Sequence, residues 1–142
     1  MSSIAAFGIS SQALSVYQMK LNIISQNIAN ADTIQTDTQE PYQRRVADLV
    51  QKPLFSAVFE DVKNNKEVIS VDIESIKQDT TPFQRVYDPG NQYADQEGYI
   101  TKSNVDTTKE MLDLLAVSRA YEANLMAFNI TKDMVNRSID IL

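Results

Sequence analysis

A chain of 142 residues, 43% of them hydrophobic, has the length of one ordinary domain and enough apolar material for a packed core. Its net charge of −6 repels phosphate backbones and anionic lipid, which makes nucleic acid and membrane surfaces poor partners. The lack of both cysteine and histidine removes disulfides, thiolate chemistry, the commonest general base and the commonest zinc ligand, and argues against an enzyme.

Residues 1–8 have no basic n-region and no unbroken apolar h-region, so they do not read as a secretory signal. No window offers the roughly 18 apolar residues needed to span a bilayer. Taken alone, these features place the chain in the cytoplasm, on the premise that export needs a cleavable signal.

Residues 1–31 are predicted to form an N-terminal assembly helix. Phe7, Leu14, Leu21 and Ile28 recur every seven residues, and Tyr17, Ile24 and Ala31 follow three of them by three. This is the a/d spacing of a coiled-coil seam, interrupted only at Ser10. Lys20 is the single charge, and the polar side is otherwise serine and amide, including Ser11, Gln18, Asn22, Ser25 and Gln26. A solvated helix face normally carries charge pairs at i,i+4, whereas amides and hydroxyls can be buried against one another without desolvating ions. That favours a helix surrounded by protein on several sides.

Residues 32–104 hold all four prolines and two of the three glycines, which marks a turn-rich middle between two uninterrupted helices. Leu54, Phe55, Val58, Phe59 and Val62 have helical spacing and predict a short helix. The alternation from Val68 to Ile73 predicts a half-buried strand. Asp88-Pro89-Gly90-Asn91 and Glu97-Gly98 are turn signals, and two short strands or extended arms are expected between residues 83 and 100. Two acidic clusters, Asp32 with Asp37 and Glu40, and Asp88 with Asn91, Asp95 and Glu97, lack the spacing of a calcium loop and its sixth-position glycine. They read as solvated turn residues. No phosphate loop, dinucleotide fingerprint, zincin or nucleophile-elbow motif occurs, so no catalytic, metal-binding or cofactor-binding residue is assigned and no cofactor is expected.

Residues 105–142 repeat the first pattern as a C-terminal assembly helix. Leu114, Tyr121, Phe128, Val135 and Leu142 are seven apart. Met111, Leu125 and Ile139 precede three of them by three, with Ser118 and Lys132 interrupting that row. Met111, Met126 and Met134 lie on or near the stripe and are expected to fill core space. The elements together predict a mainly α fold, in which long N- and C-terminal helices pair as a coiled-coil-like hairpin around a small turn-rich middle with short β-strands. The residues of the two stripes are the candidates for helix packing and self-assembly. Periodicity alone fits a plain helical hairpin as well as a polymer subunit; the uncharged face of the first helix favours the subunit.

Two stretches carry more than periodicity. Ser25-Gln26-Asn27-Ile28-Ala29-Asn30-Ala31-Asp32-Thr33 resembles the N-terminal signature of bacterial flagellar rod and hook proteins. Tyr87-Asp88-Pro89-Gly90-Asn91, Ala94-Asp95 and Gly98-Tyr99-Ile100 resemble the proximal-rod members of that axial-protein family. So do Asn104-Val105-Asp106, Glu110-Met111 and Ser118-Arg119-Ala120-Tyr121-Glu122-Ala123-Asn124. Gln39-Glu40-Pro41-Tyr42-Gln43-Arg44 fits the family's segment after the first helix. The length agrees, since distal-rod and hook relatives carry larger middle insertions. Ser103 departs from the family, which usually has proline before Asn-Val-Asp, and Thr33 is not followed promptly by Gly-Tyr.

The resemblance implies a structural subunit of the periplasm-spanning rod of the flagellar basal body, which transmits torque from motor to hook. It implies export through the flagellar type III apparatus without a cleaved signal, so a missing signal peptide would not mean cytoplasmic residence. It implies terminal helices that pair in the inner layer of a tube. Its implied partners are further copies of the chain, other rod proteins, and a basal-body ring or rod-base adaptor. Asn27, Asn30, Asn104, Asp106, Arg119 and Asn124 match family positions. Asn30 could cap the first helix, while Asn27 and Asn124 could bond across helices or remain surface asparagines. The competing readings are a coiled-coil adaptor with one partner at fixed stoichiometry, and another axial (rod or hook) protein of the flagellum.

Overall fold

The computed structural model describes residues 3–53 and 69–140. Two long helices, α1 (Ser3–Ala29) and α2 (Thr107–Asp140), occupy the two ends of the chain. Between them lie four strands: β1 (Arg45–Pro53), β2 (Ile69–Gln78), β3 (Gln84–Tyr87) and β4 (Tyr99–Lys102). A rise of about 1.5 Å per residue makes the helices roughly 40 and 50 Å long.

The helix ends facing the strands are set by side chains that satisfy orphan backbone groups. At the end of α1, the Asn30 amide donates to the Gln26 carbonyl at 2.8 Å, and Thr33 Oγ1 donates to the Asn30 carbonyl at 2.8 Å. At the start of α2, Asp106 is the N-cap, its carboxylate accepting from Thr108 N–H at 2.9 Å and Lys109 N–H at 3.2 Å. Phe7 meets Phe128 at one end of the helix pair and Asn27 meets Glu110 at the other, so the two helices run antiparallel.

β1 and β2 form an antiparallel ribbon from Arg45↔Gln78 to Pro53↔Ile69. A register shift at Asp48/Leu49 leaves Glu74 as the extra residue, a bulge that re-aims the side chains beyond it. α1 is the central element, packed along α2 and also against both strands of this ribbon. Val16 and Ile23 are buried although they lie outside the seven-residue rows, because the ribbon covers a second side of the helix.

β3 and β4 make a second antiparallel pair. The free edge of β4 is capped by the chain leaving α1: Ile34 bridges Lys102, Gln35 N–H donates to Thr101 O at 2.8 Å, and Ser103 N–H donates to Thr33 O at 3.0 Å. The segment that leaves one helix is therefore stitched to the segment that enters the other. Proline at position 103 would have no N–H for Thr33, so serine here supplies a bond that the family's usual residue cannot. The turn before β4 closes at Gly98, whose φ of 83° lies over the Tyr87 ring.

The helices are as expected in place, with α1 ending at Ala29 and α2 starting at Thr107. The middle holds more strand than a mainly α chain implies. β2 runs on to Gln78, well past the alternation ending at Ile73, and β1 had no counterpart in the sequence reading. The short helix expected at residues 54–62, and Val68, lie outside the described residues.

Candidate assembly site

Most residues of the two stripes are at least half-covered, and one pair of them meets across the helices. Phe7, Leu14, Tyr17, Leu21 and Ile28 on α1 are half-buried, and Ile24 is buried. Leu114, Tyr121, Phe128 and Val135 on α2 are half-buried. The Phe7 and Phe128 rings lie 4.2 Å apart between centroids, tilted at 35°. Leu142 and the side chain of Ile139 fall outside the described residues.

The second row of α2 departs from the sequence reading. Met111 is 53% exposed and Leu125 39%. The better-covered row lies one residue earlier: Glu110 is buried, and Val117, Asn124 and Thr131 are half-buried. Both rows are compatible with a seven-residue repeat beside Leu114, Tyr121, Phe128 and Val135. The chain uses the one that begins with a buried carboxylate, because partners for that carboxylate come from elsewhere in the fold. Met126 and Met134, expected to fill core space, are exposed as well.

Those partners form a polar node at the base of the helix pair. Glu110 and Asn27 are each only 1% exposed. The Asn27 amide donates to Glu110 Oε2 at 3.0 Å and to the Arg45 carbonyl at 2.9 Å. Its oxygen accepts from Tyr42 Oη at 2.9 Å and from Arg45 N–H at 3.0 Å. Arg44 Nε donates to Glu110 Oε1 at 2.7 Å, and its Nη1 reaches Asp79 at 3.2 Å. Asn104 accepts Arg44 N–H at 2.7 Å and donates to the carbonyls of Thr81 at 2.9 Å and Asp79 at 3.2 Å. Four segments far apart in sequence meet here: α1, residues 42–45, residues 79–81 after β2, and the stretch from Asn104 into α2. Among the described residues no buried side-chain nitrogen or oxygen is left without a partner. A satisfied network of this kind fixes a unique register, whereas a half-satisfied one would cost more than an apolar core.

The electrostatics agree with the geometry. Burial opposes the charge on Arg44, yet its bonds to Glu110 and Asp79 hold the guanidinium above its ordinary value. Bonds from the Thr81 hydroxyl and N–H, then from Arg44, pull the Asp79 carboxyl below its ordinary range. Burial raises the Tyr42 hydroxyl, opposed by nearby Arg45 and reinforced by Glu110, so it stays a proton donor to Asn27. Asp95, one of the turn acids, is occupied by backbone: it accepts from the N–H groups of Tyr99 at 2.8 Å and Glu97 at 2.9 Å, and it pairs with Arg85.

Comparison with known proteins agrees with this architecture at both ends. Residues 8–34 match the family model described as "Flagella basal body rod protein", and residues 96–141 match "Flagellar basal body rod FlgEFG protein C-terminal". The flagellar basal-body rod protein FlgC of Bacillus subtilis strain 168 is 33% identical over 148 aligned residues, covering 99% of each chain. Those of Aquifex aeolicus strain VF5 and Yersinia enterocolitica are 33% and 32% identical, covering 95% and 99% of this chain and 93% and 98% of their own. The chain belongs to the FlgC family. It is a structural subunit of the flagellar basal-body rod.

Within this FlgC-family fold, the residues at family positions divide into three groups. Asn27, Asn104 and Asp106 hold the node and the start of α2, and Asn30 holds the end of α1. Of the two readings left open for Asn27 and Asn124, Asn27 bonds across the helices to Glu110, whereas Asn124 bonds back to the Ala120 carbonyl of its own helix at 2.9 Å. Arg119 is exposed and makes no ion pair among the described residues. The residues that sequence reasoning missed are Arg44, Tyr42, Asp79 and the buried state of Glu110. The run from Gln39 to Arg44 signalled a family segment but not its destination.

The outer faces of the helix pair contrast with the inside. Ser11, Ser15, Gln18, Asn22 and Ser25 form an exposed, uncharged stripe along α1. On α2, Leu112, Leu115, Met126 and Ile130 are exposed, each by about 60% or a little more or less.

Proposed function

We propose that this rod subunit polymerises through the outer faces of its terminal helices to build the proximal rod, and that the rod transmits torque from motor to hook. One observation carries the reading: the two longest elements present, side by side, an uncharged polar stripe on α1 and a large-apolar stripe on α2. A solitary helix pair in water normally turns charge outward. The helices that close the fold internally through the node are thus finished outside for contact with protein.

In this reading the stripe residues Phe7, Leu14, Tyr17, Leu21, Ile24 and Ile28, with Leu114, Tyr121, Phe128 and Val135, act indirectly by holding the pair whose outer faces assemble. Met111 and Leu125 belong to the assembling surface itself. The partners are further copies of the chain, neighbouring rod proteins, and a ring or rod-base adaptor. The subunit passes through the flagellar type III apparatus without a cleaved signal and works in the periplasm-spanning part of the basal body. It has no turnover and needs no cofactor or metal, in keeping with a node whose carboxylates are all held by protein groups.

The test is electron microscopy of basal bodies from cells that carry the chain with a small epitope in place of residues 57–62. Label along a continuous proximal rod is the expected result. Label confined to a single non-axial partner would mean an adaptor, and unlabelled but complete rods would remove the subunit reading.

A further inference from the structure

We propose that a cavity at the base of the helix pair is a socket for the distal half of α2 from a second copy of this chain, an inference that rests on the polymer reading above. The cavity, of about 240 Å³, opens between α1, α2 and the start of β1. Its apolar lining includes Ile23, Ile24, Val46 and Val117; the node residues Asn27, Arg44 and Glu110, already bonded to one another, also line it, and beside them stand Lys20, Arg45 and Asp113. Lys20 is the only charge on α1, and neither it nor Arg45 makes an ion pair among the described residues. Asp113 approaches a cation only at 4.0 Å, and that cation, Arg44, is already held more closely by Glu110 and Asp79.

The complementary surface is on the same chain. Glu122, Met126, Ile130 and Asp133 follow one another by four, four and three residues and share one side of α2. Met126 and Ile130 are among the most exposed apolar side chains of the fold. Arg119 lies one turn before Glu122, and among the described residues none of Arg119, Glu122 and Asp133 is engaged in an ion pair. Two acids and a cation around an apolar pair thus answer the two cations and the acid that stand outside the Arg44–Glu110 pair, beside the apolar lining of the cavity. Within one chain the two cannot meet, because Val117 and Ile130 are about 20 Å apart along a single straight helix. Unlike surfaces on one chain make a head-to-tail contact, and such a contact grows as an open helix unless its rotation closes a ring. The charge pattern selects the occupant: a basic partner, or an apolar one without flanking acids, leaves Lys20 and Arg45 unpaired.

The absence of cysteine makes the experiment direct, since each introduced thiol is unique. Ala116→Cys places one on the socket wall and Met126→Cys places one on the distal stripe. Cells lacking the native gene are made to express either variant or both, and isolated basal bodies are mildly oxidised. The expected result is a disulfide dimer when the two variants are co-expressed and none when either is alone. Lys20→Glu in the Ala116→Cys chain should cut the cross-linked fraction on the order of tenfold, and Glu122→Lys in the partner variant should restore it. Rods that contain both variants but yield no dimer, or that link Ala116→Cys to a different rod protein, overturn the socket and leave the polymer reading intact. A dimer formed by one variant alone means a self-complementary contact and overturns it too. Absence of the unmodified chain from isolated rods removes both.

Discussion

Glu110 accepts the Asn27 amide at 3.0 Å across the antiparallel helix pair, and both side chains are almost wholly removed from water. The bond spans 83 residues of sequence and sits where every connection between the helices converges. It sets the register of two elements whose apolar rows would tolerate a slip, since leucines, tyrosines and phenylalanines recur at equal spacing along both.

Removing one member of the node leaves a buried partner uncompensated. Arg44→Ala exposes Glu110 as a buried carboxylate without its guanidinium, for which the general cost is about 3–5 kcal/mol. The double change Arg44→Met with Glu110→Leu removes the charge pair altogether and should recover most of that loss, because Asn27 keeps its bond to the Arg45 carbonyl. Urea denaturation of the three chains measures both values. A single mutant within about 0.5 kcal/mol of the native chain would show that the pair is not a constraint on the fold.

The acid limb of stability has a defined sign. Asp79 has its carboxyl lowered from 3.8 by bonds to Thr81 and then to Arg44, so folding favours its ionised form. Its contribution is complete above the ordinary value and is lost as pH falls through the lowered folded value. Asp95 and Asp72 are lowered too, chiefly by the Tyr99 N–H and by Lys52 respectively, and act in the same direction. Thermal melts from pH 6 down to pH 2.5 should therefore show a fall in Tm that becomes shallower in Asp79→Asn. An unchanged slope in that variant would remove Asp79 from the account.

Gly98 is a place where backbone geometry, not side-chain chemistry, decides. Its φ of 83° disfavours any Cβ, and one built there lies 2.9 Å from Tyr87 Cε2 and 3.2 Å from Pro89 Cβ. Gly98→Ala should cost more than the roughly 1 kcal/mol of the backbone conformation alone, and it should disturb the edge-to-face contact of Tyr87 with Tyr99. Nuclear Overhauser contacts between those rings report the second effect. Native stability with the ring contact intact would mean the turn adapts freely.

How much of this was legible in the sequence can be traced residue by residue. The helices were legible because Phe7-Leu14-Leu21-Ile28 and Leu114-Tyr121-Phe128-Val135 repeat with no proline and only Gly8 among them. The second row of α2 was placed one residue late because Met111 and Leu125 are apolar, whereas Glu110, Asn124 and Thr131 are not. Local hydrophobicity cannot see that Asn27 and Arg44 stand ready to receive Glu110. β1 escaped for a related reason: Val46, Asp48 and Val50 alternate with Ala47, Leu49 and Gln51, so neither face of the strand is uniformly apolar. Its position is set by pairing with β2 and packing on α1. The node itself joins residues 15 to 83 positions apart, and most of those relations lie outside any short window of sequence.

The two ends of the helix pair should differ in how firmly they are held, and Phe128 tests this. At the base, Asn27 and Glu110 are bonded to each other and to Tyr42, Arg44 and Arg45; at the far end the Phe7 and Phe128 rings, both half-buried, are in contact. Hydrogen exchange in the isolated subunit should accordingly show strong protection around residues 23–29 and weak protection near residue 7 and beyond residue 128. Truncating a fully buried phenylalanine costs about 3–5 kcal/mol, and a half-buried one less, so Phe128→Ala should leave the base folded while opening the far end. If even about 1.4 kcal/mol of that loss falls on subunit addition, the critical concentration rises roughly tenfold. Phe128→Ala is therefore expected to be synthesised, to keep native protection at the base, and to build few rods and few flagella. Phe128→Leu, which keeps an apolar filler against Phe7, should restore most assembly, and Lys109→Ala, an exposed residue outside the seam, should be near neutral. Motility and rod counts by electron microscopy decide the matter. Normal rods in Phe128→Ala would show that the far end of the pair does not need to be closed for assembly, and a defect in Lys109→Ala would move the assembling face to the N-terminal turn of α2.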